Sequence, residues 1–353
     1  MKKLWISVRR MFSDNVAELS EDAEMARGWL KYVFILVAVI VLIQIGVGIY
    51  WSSEPDQFEI DNVTRELVNK YGHQPVTGSA TTAALITVAD TLLEKPGGFL
   101  SNDILPPGVW LDNMPNWEYG ALIQVRDLSK AMRESFSRSQ SQSLEDSDLA
   151  IAESRFNFDN ESWALPPSES EYKEGIRYLE GYLQRLGDED QTNAQYFSRA
   201  DNLRYWLSTV ETRLGNLSQR LSASVGQRRI NTDLAGAPGA MRSTDVPSEQ
   251  IVQTPWTEID DVFYEARGSA WALLHFLRAV QVDFGDVLEK KNASVSLDQI
   301  IRELEGTQDP IFSPMILNGG GFGFLANHSL VMASYISRAN AAIIDLRDLL
   351  SQG

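Results

Sequence analysis

What limits the fold of this chain before anything else is the run from Tyr32 to Tyr50, YVFILVAVIVLIQIGVGIY. It is 19 residues long and has one polar member, Gln44. At ~1.5 Å per residue a helix of that length reaches ~28 Å, close to the hydrocarbon thickness of a bilayer. Trp29 and Tyr32 stand at one end, Tyr50 and Trp51 at the other. Such amphipathic rings favour the headgroup zone. A buried core helix is usually shorter and broken by polar residues. The run predicts one transmembrane helix over 32–50.

The flanks predict its orientation. Lys2, Lys3, Arg9, Arg10, Arg27 and Lys31 precede it, whereas Glu54, Asp56, Glu59 and Asp61 follow, with Arg65 the first cation beyond. Cations stay on the cytoplasmic side, so residues 1–31 are expected inside and the bulk of the chain outside. A cleaved signal peptide is the rival reading. Its apolar region and basic leader are normally shorter, and Gly46-Val47-Gly48, the only small-x-small pattern near the end, lies inside the run. An uncleaved anchor is favoured. Within the tail, Leu4, Trp5, Val8, Met11 and Phe12 share one helical side among four cations. That suits either a short helix on an anionic leaflet or a frayed terminus.

Charge separates the two parts. The chain carries a net −17, and residues 1–31 hold six cations and five anions, so the exported part carries −18. Such a surface repels phosphates and argues against nucleic-acid partners. Without cysteine, disulfides and thiolate metal centres are excluded.

Beyond the span no strand alternation stands out and 3-4 spacings are frequent. Tyr172, Ile176, Leu179, Leu183 and Leu186 form one apolar line. Ala200, Leu203, Leu207, Val210, Leu214, Leu217 and Leu221 form another, with GDEDQTN between them at 187–193. This predicts an antiparallel, coiled-coil-like hairpin over 172–225. Pro166 and Pro167 stop the first helix, so Val210, Leu214, Leu217 and Leu221 overhang by ~15–22 Å and need cover from another part of the chain or another molecule. Further helices are predicted over 82–95, 117–138 and 257–290. A short one with a Ser296-x-x-Gln299 capping box ends near Gly306, and a last one is capped by Asn327, with Val331, Tyr335, Ala339, Ala342, Leu346 and Leu349 inward. Residues 137–148 read as a polar linker or frayed helix, and 231–256 as a flexible loop. The glycine- and aromatic-rich stretch 306–326 reads as a loop ordered by packing. The fold class is all-α: a long-helix bundle behind one transmembrane helix.

Motifs for chemistry are sparse. His73, His275 and His328 have no metal-ligand spacing, and no metal or cofactor is implied. Gly321-Phe-Gly323-Phe-Leu-Ala326 matches G-x-G-x-x-A in letters only. No parallel sheet precedes it, so a tight loop turning Phe322 and Phe324 inward is the better reading. Glu258, Asp260, Asp261 and Glu265 suit the first turns of a helix. The densest stretch is PPGVWLDNMPNWEYG at 106–120. Much of it directs the chain: Asn116 as a helix cap, Glu118 in the first turn, Pro106 and Pro107 in a turn. Trp110 and Trp117 beside Asp112 and Asn113 could line a sugar or peptide groove, or simply fill a packed plug.

PGGFLSNDILPPGVWLDNMPNWEYGALIQVRD, FSRSQSQSLEDSDLA, FNFDNESWALPPSESEY and RADNLRYWLSTVETRLGNLSQRLSASV resemble the bacterial domain-of-unknown-function family numbered 2333. The resemblance covers nearly the whole chain and is most specific over 96–225. It implies an N-terminal membrane helix followed by a helical region in Gram-negative bacteria, hence an inner-membrane anchor with residues 52–353 in the periplasm, and no activity or catalytic residue.

Three functions follow as expectations. The first is an anchored periplasmic interaction or scaffold protein. It contacts the lipid bilayer and docks an envelope protein, or itself, through the seam Val210, Leu214, Leu217 and Leu221 and the surface at 106–120. The second is a carboxylate-dependent envelope enzyme acting on glycan or peptide, with Asp112 and Glu118 as acid and base beside Trp110 and Trp117. The third is a membrane sensor that signals through residues 1–31 by way of a partner.

Overall fold

The computed structural model describes residues 29–139, 144–188, 193–230, 249–313, 315–319 and 324–352. The expected helix at 2–12, residues 231–248 of the expected 231–256 loop and Gly321, Phe322 and Gly323 lie outside them. The chain divides into two units, residues 1–51 and 52–353.

In the first unit, α1 spans Trp29–Trp51, 23 residues. Its apolar side chains are almost all uncovered by the chain. A helix this apolar is stable only where something other than water surrounds it, so its length and composition fit a membrane anchor or a signal sequence.

Among its described residues the second unit is all-α apart from one short antiparallel strand pair and the isolated bridge Asn318↔Asn327. Its helices are α2 (Ile60–Asn69), α3 (Ser79–Glu94), α4 (Asn113–Ala131), α5 (Ser147–Phe156), α6 (Ser168–Leu186), α7 (Ala200–Ser222), α8 (Ile259–Asp283), α9 (Gly285–Lys290), α10 (Ser294–Gly306) and α11 (His328–Ser351). The antiparallel pair β1 (Gln227–Ile230) and β2 (Glu249–Val252), in register Gln227↔Val252, departs from the purely helical expectation. Its second strand takes the far arm of the expected loop.

The core forms around α8, which buries Phe263, Trp271, Leu273, Phe276 and Leu277. Its closest neighbour is α4. Asn116 donates to Asp261 (2.8 Å) and Gln124 to Ser269 (2.8 Å), so the two helices run parallel. Two glycines let their backbones meet. A Cβ on Gly120 would stand 2.0 Å from the Glu265 carbonyl oxygen, and one on Gly268 1.9 Å from that of Trp117. The start of α3 is held by the other end of α8. Asp283 accepts from Gly78 N (2.8 Å), Thr81 N (2.7 Å) and Thr81 Oγ1 (2.7 Å).

The expected hairpin is corrected. α6 packs on α5 and α3, while α7 packs on α11. The antiparallel pair is α5–α6. Arg155 bonds Glu171 at one end, and Arg185 bonds Asp148 (2.7 Å) and Asp146 (2.8 Å) at the other. Val210, Leu214, Leu217 and Leu221 are all buried, and α7 packs chiefly on α11, whose Ile336, Ala339, Ile343 and Leu346 are buried as well, and also on α4 and α8. The cover for the overhang comes from within the chain, so the seam presents no open docking edge. Of the expected inward line of α11, Ala339 and Leu346 are buried, Tyr335, Ala342 and Leu349 are half-buried and Val331 is exposed, while Met332, Ile336, Ile343 and Leu350 join the buried face. Asn327 does cap α11, accepting from Leu330 N (2.8 Å). The Ser296 box is not formed, because α10 begins two residues earlier at Ser294.

Candidate functional site

The tryptophan loop lies between α3 and α4. Asp112, not Asn116, is the N-cap of α4, accepting from Asn113 N at 2.9 Å. Pro115 falls in the first turn, where no backbone donor is required. Asn116 turns to Asp261 instead.

Glu118 has a different task. Its carboxylate meets the Lys95 ammonium at 2.5 Å, with both side chains wholly buried. It also accepts from Leu100 N (2.8 Å), Ser101 N (2.8 Å) and Ser101 Oγ (2.6 Å). Lys95 in turn donates to Gly98 O at 2.5 Å. Burial pushes the Glu118 carboxyl up, opposed by the neighbouring ammonium and the hydrogen bonds. The pair clasps the base of the loop to α4. Trp117 is buried in the core 5.1 Å from Trp271, ring to ring. The four side chains of the acid–base reading therefore do not converge on one cleft. Trp110 and Asp112 are exposed, whereas Trp117 and Glu118 are enclosed.

Above the clasp the loop turns outward, exposing Ile104, Leu105, Val109 and Trp110, the last at 60%. A second loop, 157–167, joins it. Buried Asn102 donates to Ser162 O (2.8 Å) and to Glu169 Oε2 (2.9 Å). Ser168 Oγ closes this loop onto Asp159 O (2.7 Å) and Ser162 O (3.0 Å). It exposes Trp163 and Leu165, the latter at 99% with φ 64°. A leucine in left-handed backbone gains nothing from burial here, yet bears a local cost of roughly 1–2 kcal/mol. Sequence reasoning misses Trp163 and Leu165 because it misses α5 and the pairing of α5 with α6. A local signal for α5 does exist: Asp146 caps a helix whose Leu149, Ala152 and Phe156 make a short 3-4 line. Together the two loops form an apolar platform. Asp103, Asp112, Asp159 and Glu161 belong to the same two loops, and 101–112 and 157–167 contain no cation.

Of the clefts that lie elsewhere, two involve side chains named above. One of about 390 Å³ between α4, α7 and α8 is lined by Gln124, Thr212, Arg213, Asn216, Arg220 and Glu265 together with Tyr119, Ile123 and Leu217. Its arginines are neutralised: Arg220 makes two 2.6 Å bonds to Glu265, and Arg213 pairs with Asp127 at 2.7 Å. Glu265 is thus no free base. The other, of about 340 Å³, opens beside residues 306–313 and is walled by Phe263, Ile311, Val331, Met332 and Tyr335. Among the described residues no group of His, Asp and Glu could hold a metal ion.

Neither the curated proteins nor the solved structures include a match to this chain. A family model, described as "Uncharacterized protein conserved in bacteria (DUF2333)", matches residues 24–353, nearly the whole chain, and the protein belongs to that bacterial family.

Proposed function

We propose that this protein is a single-pass inner-membrane protein whose acidic helical body faces the periplasm and docks another envelope protein through the platform of loops 101–112 and 157–167. The observation that carries the reading is the platform itself. Two tryptophans and two leucines stand exposed on loops that buried hydrogen bonds and an ion pair hold in place. Side chains ordered before binding lose little entropy on contact, and tryptophan is favoured at the centre of interfaces. The acids on the same two loops call for a partner with an apolar centre and a basic rim. The anchor reading rests on α1 and on the change from cations to acids across it.

The test places a photo-crosslinking amino acid at Trp110 or Trp163 of the full chain in cells, with Val295, exposed on α10, as the control. The expected result is one discrete adduct from both platform positions and none from Val295, weakened when Leu105 and Leu165 become Asp. Equal labelling at all three positions, or none at any, would overturn the docking surface. Protease added to spheroplasts should digest residues 52–353, and their survival would overturn the topology.

A further inference from the structure

We infer that the body has a second contact with the bilayer, made by the loop between α10 and α11, so that one end of the bundle rests on the membrane that holds α1. This contact presupposes the anchor proposed above.

Arg267 is the joint between loop and tether. This buried guanidinium grips Glu54 through Nε, at 2.7 Å to each carboxylate oxygen. With its other nitrogens it donates to Thr307 O (2.7 Å), Gln308 O (3.2 Å) and Asp309 O (2.9 Å). Gln308 Nε2 donates back to Arg267 O at 3.2 Å. One side chain thus fastens the start of the α10–α11 loop to the segment that leads out of α1. Glu54 is three residues beyond Trp51, so it lies within ~11 Å of the end of α1, however the linker runs. From there the chain runs along α8 to His275, where Phe58 N donates to Nε2 at 3.1 Å. The tether therefore enters at the end of α8 where α10 stops and α11 begins.

The loop at that end is built unlike the rest of an acidic protein. Residues 310–327 contain no Asp, Glu, Lys, Arg or His. Phe324 does not turn inward as the sequence suggests but is fully exposed, as is Phe312 at 95%, with Met315 and Leu325 largely uncovered. Asn318 Nδ2 ties the loop to Ser224 O at 2.6 Å, and Gly319 N donates to Ala326 O at 3.0 Å. The exposure is thus held by internal bonds. Large apolar side chains on the stretch 310–327, which follows Asp309 and holds no charge of its own, close in sequence to the segment bonded through Arg267 to Glu54, match the requirements of a segment lying in the interfacial zone. The two platform loops differ in this respect: their four acids suit a protein rim and disfavour an anionic leaflet.

The chain has no cysteine, so single labels are clean. The full chain is reconstituted into phosphatidylcholine vesicles, carrying one nitrobenzoxadiazole label at Phe312→Cys, Phe324→Cys, Ile40→Cys in α1 or Val295→Cys at the far end of α10. Nitroxide-bearing phosphatidylcholine is then added. Labels at 312 and 324 are expected to lose about half their emission, as for groups ~5–10 Å below the headgroups, and Val295 none. Ile40 separates the two readings. If it is quenched while 312 and 324 behave like Val295, the loop contact is overturned and the anchor stands. If Ile40 itself is not quenched, the anchor fails and the loop contact with it. Emission at 312 and 324 that ignores the nitroxide but shifts blue as protein density rises would assign the loop to a second copy of this chain and likewise overturn the inference.

Discussion

Lys95 and Glu118 are the charges on which the tryptophan loop depends, and their value is conditional. Removing a matched pair from water costs several kcal/mol per ion, which mutual attraction and added hydrogen bonds offset. Here Glu118 has the Lys95 ammonium and three donors from Leu100 and Ser101. With Glu118→Gln, Lys95 would be left as an uncompensated buried cation. The expected loss is ~3–5 kcal/mol of unfolding free energy, measured by urea titration of the full chain in detergent. The double change Lys95→Met with Glu118→Leu should recover most of it. A single variant as stable as the parent would mean that the clasp does not hold the loop.

Between helices the decisive contact is the parallel crossing of α4 on α8. Gly268→Ala puts a methyl 1.9 Å from the Trp117 carbonyl oxygen, a separation no real pair adopts, and that carbonyl belongs to a helix backbone that cannot rotate away. The helices must part, loosening Trp117 from Trp271, at an expected cost of ~2–3 kcal/mol. A thermal midpoint unchanged by the substitution would show that the crossing is looser than this. Such a contact has no signature in one sequence, since both glycines sit inside otherwise ordinary helical patterns. The same holds for partners. The apolar lines of α6 and α7 are visible in the sequence, and so are their helices, but a line does not say what covers it. Tyr172, Leu179 and Leu183 are buried in a layer made with α5 and α3, and Leu214 and Leu217 where α7 packs on α11, α4 and α8. Nearness in sequence favours pairing the two lines with each other, and tertiary packing chooses otherwise. In the loop at 106–120 the turn chemistry is legible, but the division of labour is not. Trp117 and Glu118 go inward and Trp110 outward, because Lys95, 23 residues before Glu118, supplies the buried partner.

Taken whole, the molecule carries a net −17, and the segment before α2 meets the core at a titratable group. His275 is fully buried. Its Nδ1 bonds Trp271 O at 2.8 Å, and Nε2 accepts from Phe58 N, so the neutral ring with its proton on Nδ1 satisfies both. Phe58 also stacks on it at 3.9 Å. Burial lowers the imidazole from 6.5 to about 4. Because the folded value lies below the unfolded one, the unfolded chain binds the proton first as pH falls. The contribution of His275 is therefore complete above about pH 6.5 and is lost between there and about pH 4, a change of roughly 3 kcal/mol. Asp261 opposes this. Burial, then Asp260 and Asp112, push it up to about 6, so protonating it on the same descent relieves repulsion; it is partly open to solvent, which weakens the effect. The thermal midpoint of the full chain in detergent is thus expected to fall from pH 6.5 to 4. His275→Gln, which keeps a donor and an acceptor but does not titrate, should start lower at pH 7.5 and lose less on acidification. Equal slopes in the two proteins would place the acid sensitivity outside this joint. A reduced slope in the variant would make the point where the chain passes from Glu54 to α2 the acid-labile part of the molecule.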